Sequence, residues 1–206
     1  MLLIIKKETK VAKVVTFANV KGGSGKSTLC INMAAILVRA GYSVAIIDAD
    51  QQKCSQDWIT GTKDKLLSRV EIIEPVELKA AEDVEVDFLL IDTQGSLTKE
   101  MAQLLFQSSL IITPCRASRD DIVGQGWIEV FLKQSNQNIK KAPILTVLNG
   151  VNKRSSILSH VIEQLKETGF KSLKHAFHKE FALRRLMLIR YQLLVIINTQ
   201  PKKLLI

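Results

Sequence analysis

The sequence predicts an α/β fold, a mainly parallel β-sheet covered by helices on both faces. Several short β-branched runs are apolar at every position, as strands buried on both faces must be. Stretches with helical apolar spacing separate them, and that alternation gives parallel strands joined by crossovers. The 206 residues, 47% of them hydrophobic and 24% charged, suit a single globular domain with a sizeable core.

The elements follow in order. AKVVTFAN (12–19) reads as a buried strand that runs into a Gly-rich loop. Helical spacing over 27–40, through Leu29, Ile31, Ala34, Ile36 and Leu37, stops at Gly41, a usual residue just past a helix end. SVAIID (43–48), VDFLLID (86–92), SLIITP (109–114) and APILTVLN (142–149) are further buried strands, with helices near 98–107 and 118–134. Residues 155–168 carry the stripe Ile157, Leu158, Val161, Ile162 and Leu165 between a Ser155 cap and Gly169, the pattern of an amphipathic helix. One α/β domain accounts for the chain to about residue 177. Residues 1–11 are read as an extension of it and 191–206 as an atypical tail.

Other classes are excluded on composition. No apolar run approaches the roughly 18 residues that cross a membrane. MLLIIKKETK is too short in its apolar part for a secretory signal, so a cytoplasmic location is expected. Cys30, Cys54 and Cys115 are dispersed without a C-x-x-C, against a disulfide framework or a structural zinc site. His160, His175 and His178 do not have metal-ligand spacing.

Charge is unevenly placed. Residues 1–100 carry 13 basic and 14 acidic side chains, whereas 101–206 carry 16 basic and 6 acidic. A basic half suits a polyanion, either nucleic acid or an anionic membrane surface, and it also suits a merely solvated face.

The most specific motif is Lys21-Gly22-Gly23-Ser24-Gly25-Lys26-Ser27-Thr28, placed after a strand and opening a helix. Glycines let the backbone wrap phosphate oxygens with N–H groups pointing inward, and the helix N-terminus adds its positive end. Lys26 is expected to reach the β- and γ-phosphates and the Ser27 hydroxyl to ligate Mg²⁺. Ligands of open parallel sheets bind beyond the carboxyl ends of the strands. Two strands end in acids there, at Asp48 with Asp50 and at Asp92. Their convergence beside the loop would call for a cation, Mg²⁺ with Lys26.

K-G-G-S-G-K-S-T, with a second lysine and Val20 at the usual first-glycine position, resembles the deviant Walker A motif of the ParA/MinD ATPases. D-A-D-Q-Q (48–52) resembles that family's D-x-D-P-Q segment, and I-D-T-Q-G (91–95) its Walker B, with Gln51 and Gln94 where relatives often have Pro. The resemblance covers roughly residues 12–168 and points to a P-loop NTPase, close to small plasmid-partition ParA proteins. It implies that Gly22 to Thr28 bind ATP, that Lys21 crosses a dimer interface to the partner's nucleotide, and that Asp50 acts as general base. It further implies that Asp92 holds Mg²⁺ through water with Asp48 supporting the shell, and that Asn149 contacts adenine. A turn role at the strand end explains Asn149 equally well. In T-P-C-R-A-S-R-D-D, Pro114, Ser118 and Asp120 fall in a segment near the dimer interface of relatives, and Ser118 with Asp121 also makes a capping box.

By the same resemblance, the ATP-bound form is a homodimer that binds DNA without sequence preference, is nucleoid-associated, and meets a ParB-like centromere-binding partner. Lys153, Arg154, Arg184 and Arg185 are the candidate DNA-binding residues. Rival readings are a MinD-like positioning ATPase on a membrane surface, a nucleotide-bound adaptor with negligible turnover, and an iron–sulfur carrier, which the missing C-x-x-C disfavours. The resemblance fails at RYQLLVIINTQPKKLLI, which is strand-like where relatives continue into a helix.

Overall fold

The computed structural model describes residues 11–75, 84–96, 98–116, 118–134, 142–150, 160–161, 163 and 171–177. Seven strands form one sheet: β1 (Lys13–Phe17), β2 (Val44–Asp48), β3 (Glu71–Ile72), β4 (Phe88–Asp92), β5 (Leu110–Cys115), β6 (Ile144–Asn149) and β7 (Lys171–Phe177). Their order is β3-β2-β4-β1-β5-β6-β7, and each neighbouring pair is parallel. The helices whose bounds fall among the described residues are α1 (Lys26–Arg39), α2 (Cys54–Thr60), α3 (Lys99–Gln107) and α4 (Arg119–Gln134), with a short 3-10 turn at Leu67–Arg69.

The central strands are buried from end to end because both faces are covered. Side chains alternate between faces along each strand. Val15, Phe17, Ile46, Leu90 and Ile112 pack with Leu29, Met33, Ile36 and Leu37 of α1 on one face. Ile111 joins Met101 and Leu105 of α3 and Ile128 and Leu132 of α4 on the other. Each such large side chain contributes about 1.5–3 kcal/mol of burial. Helix α1 ends as its sequence indicates. Gly41 sits at φ +88°, its N–H bonds the Val38 carbonyl, and the Tyr42 N–H bonds the Leu37 carbonyl.

Register positions the site. Phe17 of β1 and Asp48 of β2 both pair with Asp92 of β4, so these three strands end level with one another. Strand β4 lies directly beside β1, and the phosphate loop leaves from that level. Thr93 donates to the Phe17 carbonyl (2.9 Å), and Asn19, fully buried, donates to the Pro114 carbonyl at the end of β5 (2.6 Å).

Each strand and helix expected up to residue 149 is present, with ends shifted by a few residues. Helix α2, the two-residue β3 and the edge strand β7 were not anticipated. The expected helix over 155–168 lies outside the described residues apart from 160, 161 and 163, which are helical, with Val161 buried.

Candidate functional site

Beyond the strand ends lies a cleft of about 750 Å³. Gly22, Gly23, Gly25, Lys26, Ser27 and Thr28 line it, together with Asp50, Gln52, Cys54, Gln94, Gly95, Ser96, Arg116 and Asn149. The loop needs glycine at two places for distinct reasons. Gly25 takes φ +102°, and a β-carbon there would stand 2.0 Å from Asn149 Nδ2. At Gly95 a β-carbon would meet the backbone N of Gly22 at 3.0 Å, so the turn after β4 is seated directly against the phosphate loop.

Asn149 donates from Nδ2 to the Ser24 carbonyl (2.9 Å), and Ser24 itself is buried. Asn149 therefore holds the loop as well as lining the cleft. Lys26 is 6% exposed, with Nζ 3.4 Å from the Lys21 carbonyl. Burial lowers its pKa, while the charges of Asp92 and Asp50 oppose that shift and favour the ammonium.

Asp92 is fully buried, and neither carboxylate oxygen completes a hydrogen bond among the described residues. Burial pushes its pKa up to about 6. The Ser27 hydroxyl draws it back, Asp48 raises it further, and Ser55 and Lys26 lower it. The two hydroxyls lie near enough to polarise the carboxylate without forming a hydrogen bond of normal geometry to it. A desolvated carboxylate with unused oxygens beside a serine hydroxyl and a phosphate loop fits a small hard cation, because Mg²⁺ is held by one or two carboxylates plus phosphates.

Asp48 and Asp92 end level strands and Asp50 lies in the cleft wall, but the three carboxylates have different partners. Among the described residues no group of three His, Cys, Asp or Glu side chains gathers to hold a metal ion. Asp48 is fully buried and its oxygens are already in use. Its Oδ1 accepts from the Asp50 N–H (3.1 Å). Its Oδ2 accepts from the Ser55 N–H (2.9 Å), the Ser55 hydroxyl (2.7 Å) and the Gln56 N–H (3.1 Å). Those N–H groups are the orphan donors of the first turn of α2. Asp50 is half-buried in the cleft wall, where its Oδ1 accepts from the Gln52 N–H (3.0 Å).

Lys21 is not among the lining residues. Its Nζ stands 3.7 Å from the carboxylates of both Asp120 and Asp121, at the start of α4. Asp121 is almost fully buried; its N–H donates to the Ser118 hydroxyl, the N-cap half of the capping box read from the sequence, and its carboxylate accepts from that hydroxyl, while the Ser118 N–H donates to the Arg116 carbonyl. Arg116, which follows β5, reaches back across the cleft and donates from Nη2 to the Gly23 carbonyl. Motif reading passed over Arg116, Gly95 and Asn19; the available signal was that each follows the carboxyl end of a buried strand. Lys153, Arg154, Arg184 and Arg185 lie outside the described residues. No helix among the described residues is long and apolar enough to cross a membrane.

A strand, a glycine loop, a buried lysine and a helix, flanked by a second strand ending in Asp, define a P-loop nucleotide-binding protein. The chain matches the CobQ/CobB/MinD/ParA nucleotide binding domain over residues 15–186 and belongs to that family. It is 24% identical over 179 residues to the maintenance of carboxysome distribution protein A of Halothiobacillus neapolitanus, covering 84% of this chain and 82% of that protein. A plasmid partition protein from Borrelia burgdorferi B31, solved with bound AMPPNP, superposes with a TM-score of 0.69 at 19% identity, covering 89% of this chain and 99% of that one. The pNOB8 ParA structure bound to nonspecific DNA gives a TM-score of 0.57 at 18% identity, covering 84% and 83%. At those identities the superpositions speak for the fold.

Proposed function

We propose that this protein is an ATPase whose binding and slow hydrolysis of ATP switch its grip on DNA, for partition or positioning of a DNA-linked cargo. The observation that carries the reading is Asp92, a buried carboxylate beside Ser27 and Lys26 of the Gly22–Thr28 loop, whose oxygens complete no hydrogen bond of normal geometry among the described residues. Loop N–H groups bind the phosphates, and Lys26 neutralises the β- and γ-oxygens. Ser27 and Asp92 would hold Mg²⁺, which when bound supplies charge neutralisation for the transferring phosphoryl group. Asp50 orients the attacking water and accepts its proton. Asp48 acts through its hydrogen bond to the Asp50 N–H and its grip on α2, so it positions the base instead of ligating the metal.

The finer reading adds a homodimer with nucleotide sandwiched between subunits. Lys21 would then leave Asp120 and Asp121 to reach the partner's nucleotide. A ParB-like protein would stimulate hydrolysis, and the basic residues Lys153, Arg154, Arg184 and Arg185 would meet DNA. Support comes from the charge excess after residue 100 and from family membership.

The test is DNA binding across a salt series with ATP, with ADP and without nucleotide. Tight, salt-sensitive binding with ATP alone is expected. Equal binding in all three states reduces the basic half to simple electrostatics and removes the switch. Binding in none of them transfers the proposal to anionic vesicles, measured with the same three nucleotide states.

A further inference from the structure

We propose that Arg116 is a γ-phosphate contact supplied in cis, and that it makes the cleft discriminate triphosphate from diphosphate. The inference rests on the nucleotide-binding reading above and assigns a residue that reading does not use.

The cations around the cleft do not divide as the sequence implies. The side chain of Lys21, the second lysine of the loop, turns to two acids at the start of α4, while its backbone carbonyl stays beside Lys26 Nζ. Arg116 lines the cleft, and its guanidinium lies on the phosphate loop itself, donating to the Gly23 carbonyl. Within one chain the cleft is therefore lined by two cations, Lys26 and Arg116, against one acid, Asp50, among the described residues.

Position selects the terminal phosphate. The lysine of such a loop addresses the β- and γ-oxygens, while the helix N-terminus serves the inner phosphates. Lys26 Nζ sits 3.4 Å from the Lys21 carbonyl, so a phosphate that meets Lys26 would lie beside the Lys21–Gly23 backbone. The Arg116 contact falls on that same stretch. A guanidinium has five N–H donors in a planar fork and binds phosphate oxygens bidentately, and one bond to a neutral carbonyl leaves most of them available. A γ-phosphate is a stronger acceptor than the Gly23 carbonyl, because charge-assisted hydrogen bonds are about twice as strong as neutral ones. ADP ends before that position and leaves Arg116 on Gly23. The placement follows from the chain order: β5 neighbours β1, so the segment leaving β5 emerges beside the loop leaving β1.

The experiment titrates the full-length wild-type chain, Arg116→Gln and Arg116→Lys with Mg-AMPPNP and with Mg-ADP by calorimetry, with thermal melts as a folding control. Arg116→Gln is expected to weaken AMPPNP binding at least about tenfold and to leave ADP binding within about twofold. Arg116→Lys, which keeps the charge without the fork, is expected to fall between. Equal weakening of both nucleotides, or none, overturns the assignment and leaves Arg116 as a loop brace. A folded wild-type chain that binds neither nucleotide defeats the nucleotide reading first, and this inference with it.

Discussion

Replacing Asp92 with Asn tests whether that carboxylate is kept for a cation. Asp92 is fully buried, its oxygens have no hydrogen-bond partner among the described residues, and burial raises its pKa from the ordinary 3.8 to about 6. A raised folded-state pKa means that the folded chain binds the proton more tightly than the unfolded chain. The corresponding stability is fully present below about pH 4 and is lost as pH rises through about 6. The gap between the two values corresponds to about 3 kcal/mol at neutral pH. An amide removes the buried charge but brings two N–H donors that want partners, at a cost of about 1–2 kcal/mol. Asp92→Asn is therefore expected to stabilise the chain by about 1–2 kcal/mol at pH 7.5 without divalent cation, a rise of roughly 3–6 °C for a domain of this size. The advantage should shrink at pH 5. Adding Mg²⁺ with nucleotide should raise the wild-type melting temperature and leave the variant nearly unmoved. Thermal melts at both pH values, with and without Mg-ADP, read all of this. A variant that melts below wild type at pH 7.5, by the same margin at pH 5, would show that the carboxylate is satisfied in the protein and is not held for a cation.

Three further substitutions probe the rest of the site. Gly25→Ala puts an alanine at φ +102° with its β-carbon on Asn149, and should cost at least about 1–2 kcal/mol in strain while abolishing nucleotide binding in calorimetry. Asp48→Ala frees the Ser55 and Gln56 N–H groups and the Asp50 backbone, and should lower stability by about 3 kcal/mol in urea unfolding, the loss expected for breaking a buried charged network. Lys21→Ala should leave nucleotide affinity within about twofold, because Lys21 faces α4 and not the cleft, yet abolish ATP-dependent dimerisation in sedimentation; an unchanged dimer removes the trans role of Lys21.

The parts of the fold legible in the sequence are those whose signal is local and repeated. Strands β2, β4 and β5 are apolar at consecutive positions because both faces are covered, and that pattern survives without any knowledge of neighbours. The phosphate loop was equally plain, since each residue type answers a backbone or phosphate requirement nearby. What escaped depends on distant partners. Helix α2 is seven residues long with Lys53 at φ +50° before it, and its first N–H groups are held by donating to the Asp48 carboxylate. No apolar period announces such a helix. Strand β7, KSLKHAF, is mixed in polarity, as an edge strand can be. The commitment of the Asp48 oxygens, the turning of Lys21 toward Asp120 and Asp121, and the reach of Arg116 to Gly23 each join residues brought together only by the sheet order. Residue type marks Asp48 and Lys21 as site residues, whereas the direction each side chain takes depends on α2 and α4, which are distant in the sequence or carry no local signal.

The most direct measurement is magnesium-dependent ATP hydrolysis by the wild-type chain beside Lys26→Ala and Asp50→Ala, with ATP binding followed in parallel. A cleft that works as described turns ATP over slowly and only with Mg²⁺. It loses turnover about a hundredfold or more in both variants, and Asp50→Ala still binds ATP, because the base acts on water and not on the phosphates. Turnover that survives Lys26→Ala, or a folded wild-type chain that does not bind ATP, would contradict the central claim that this loop and its carboxylates form an ATPase site.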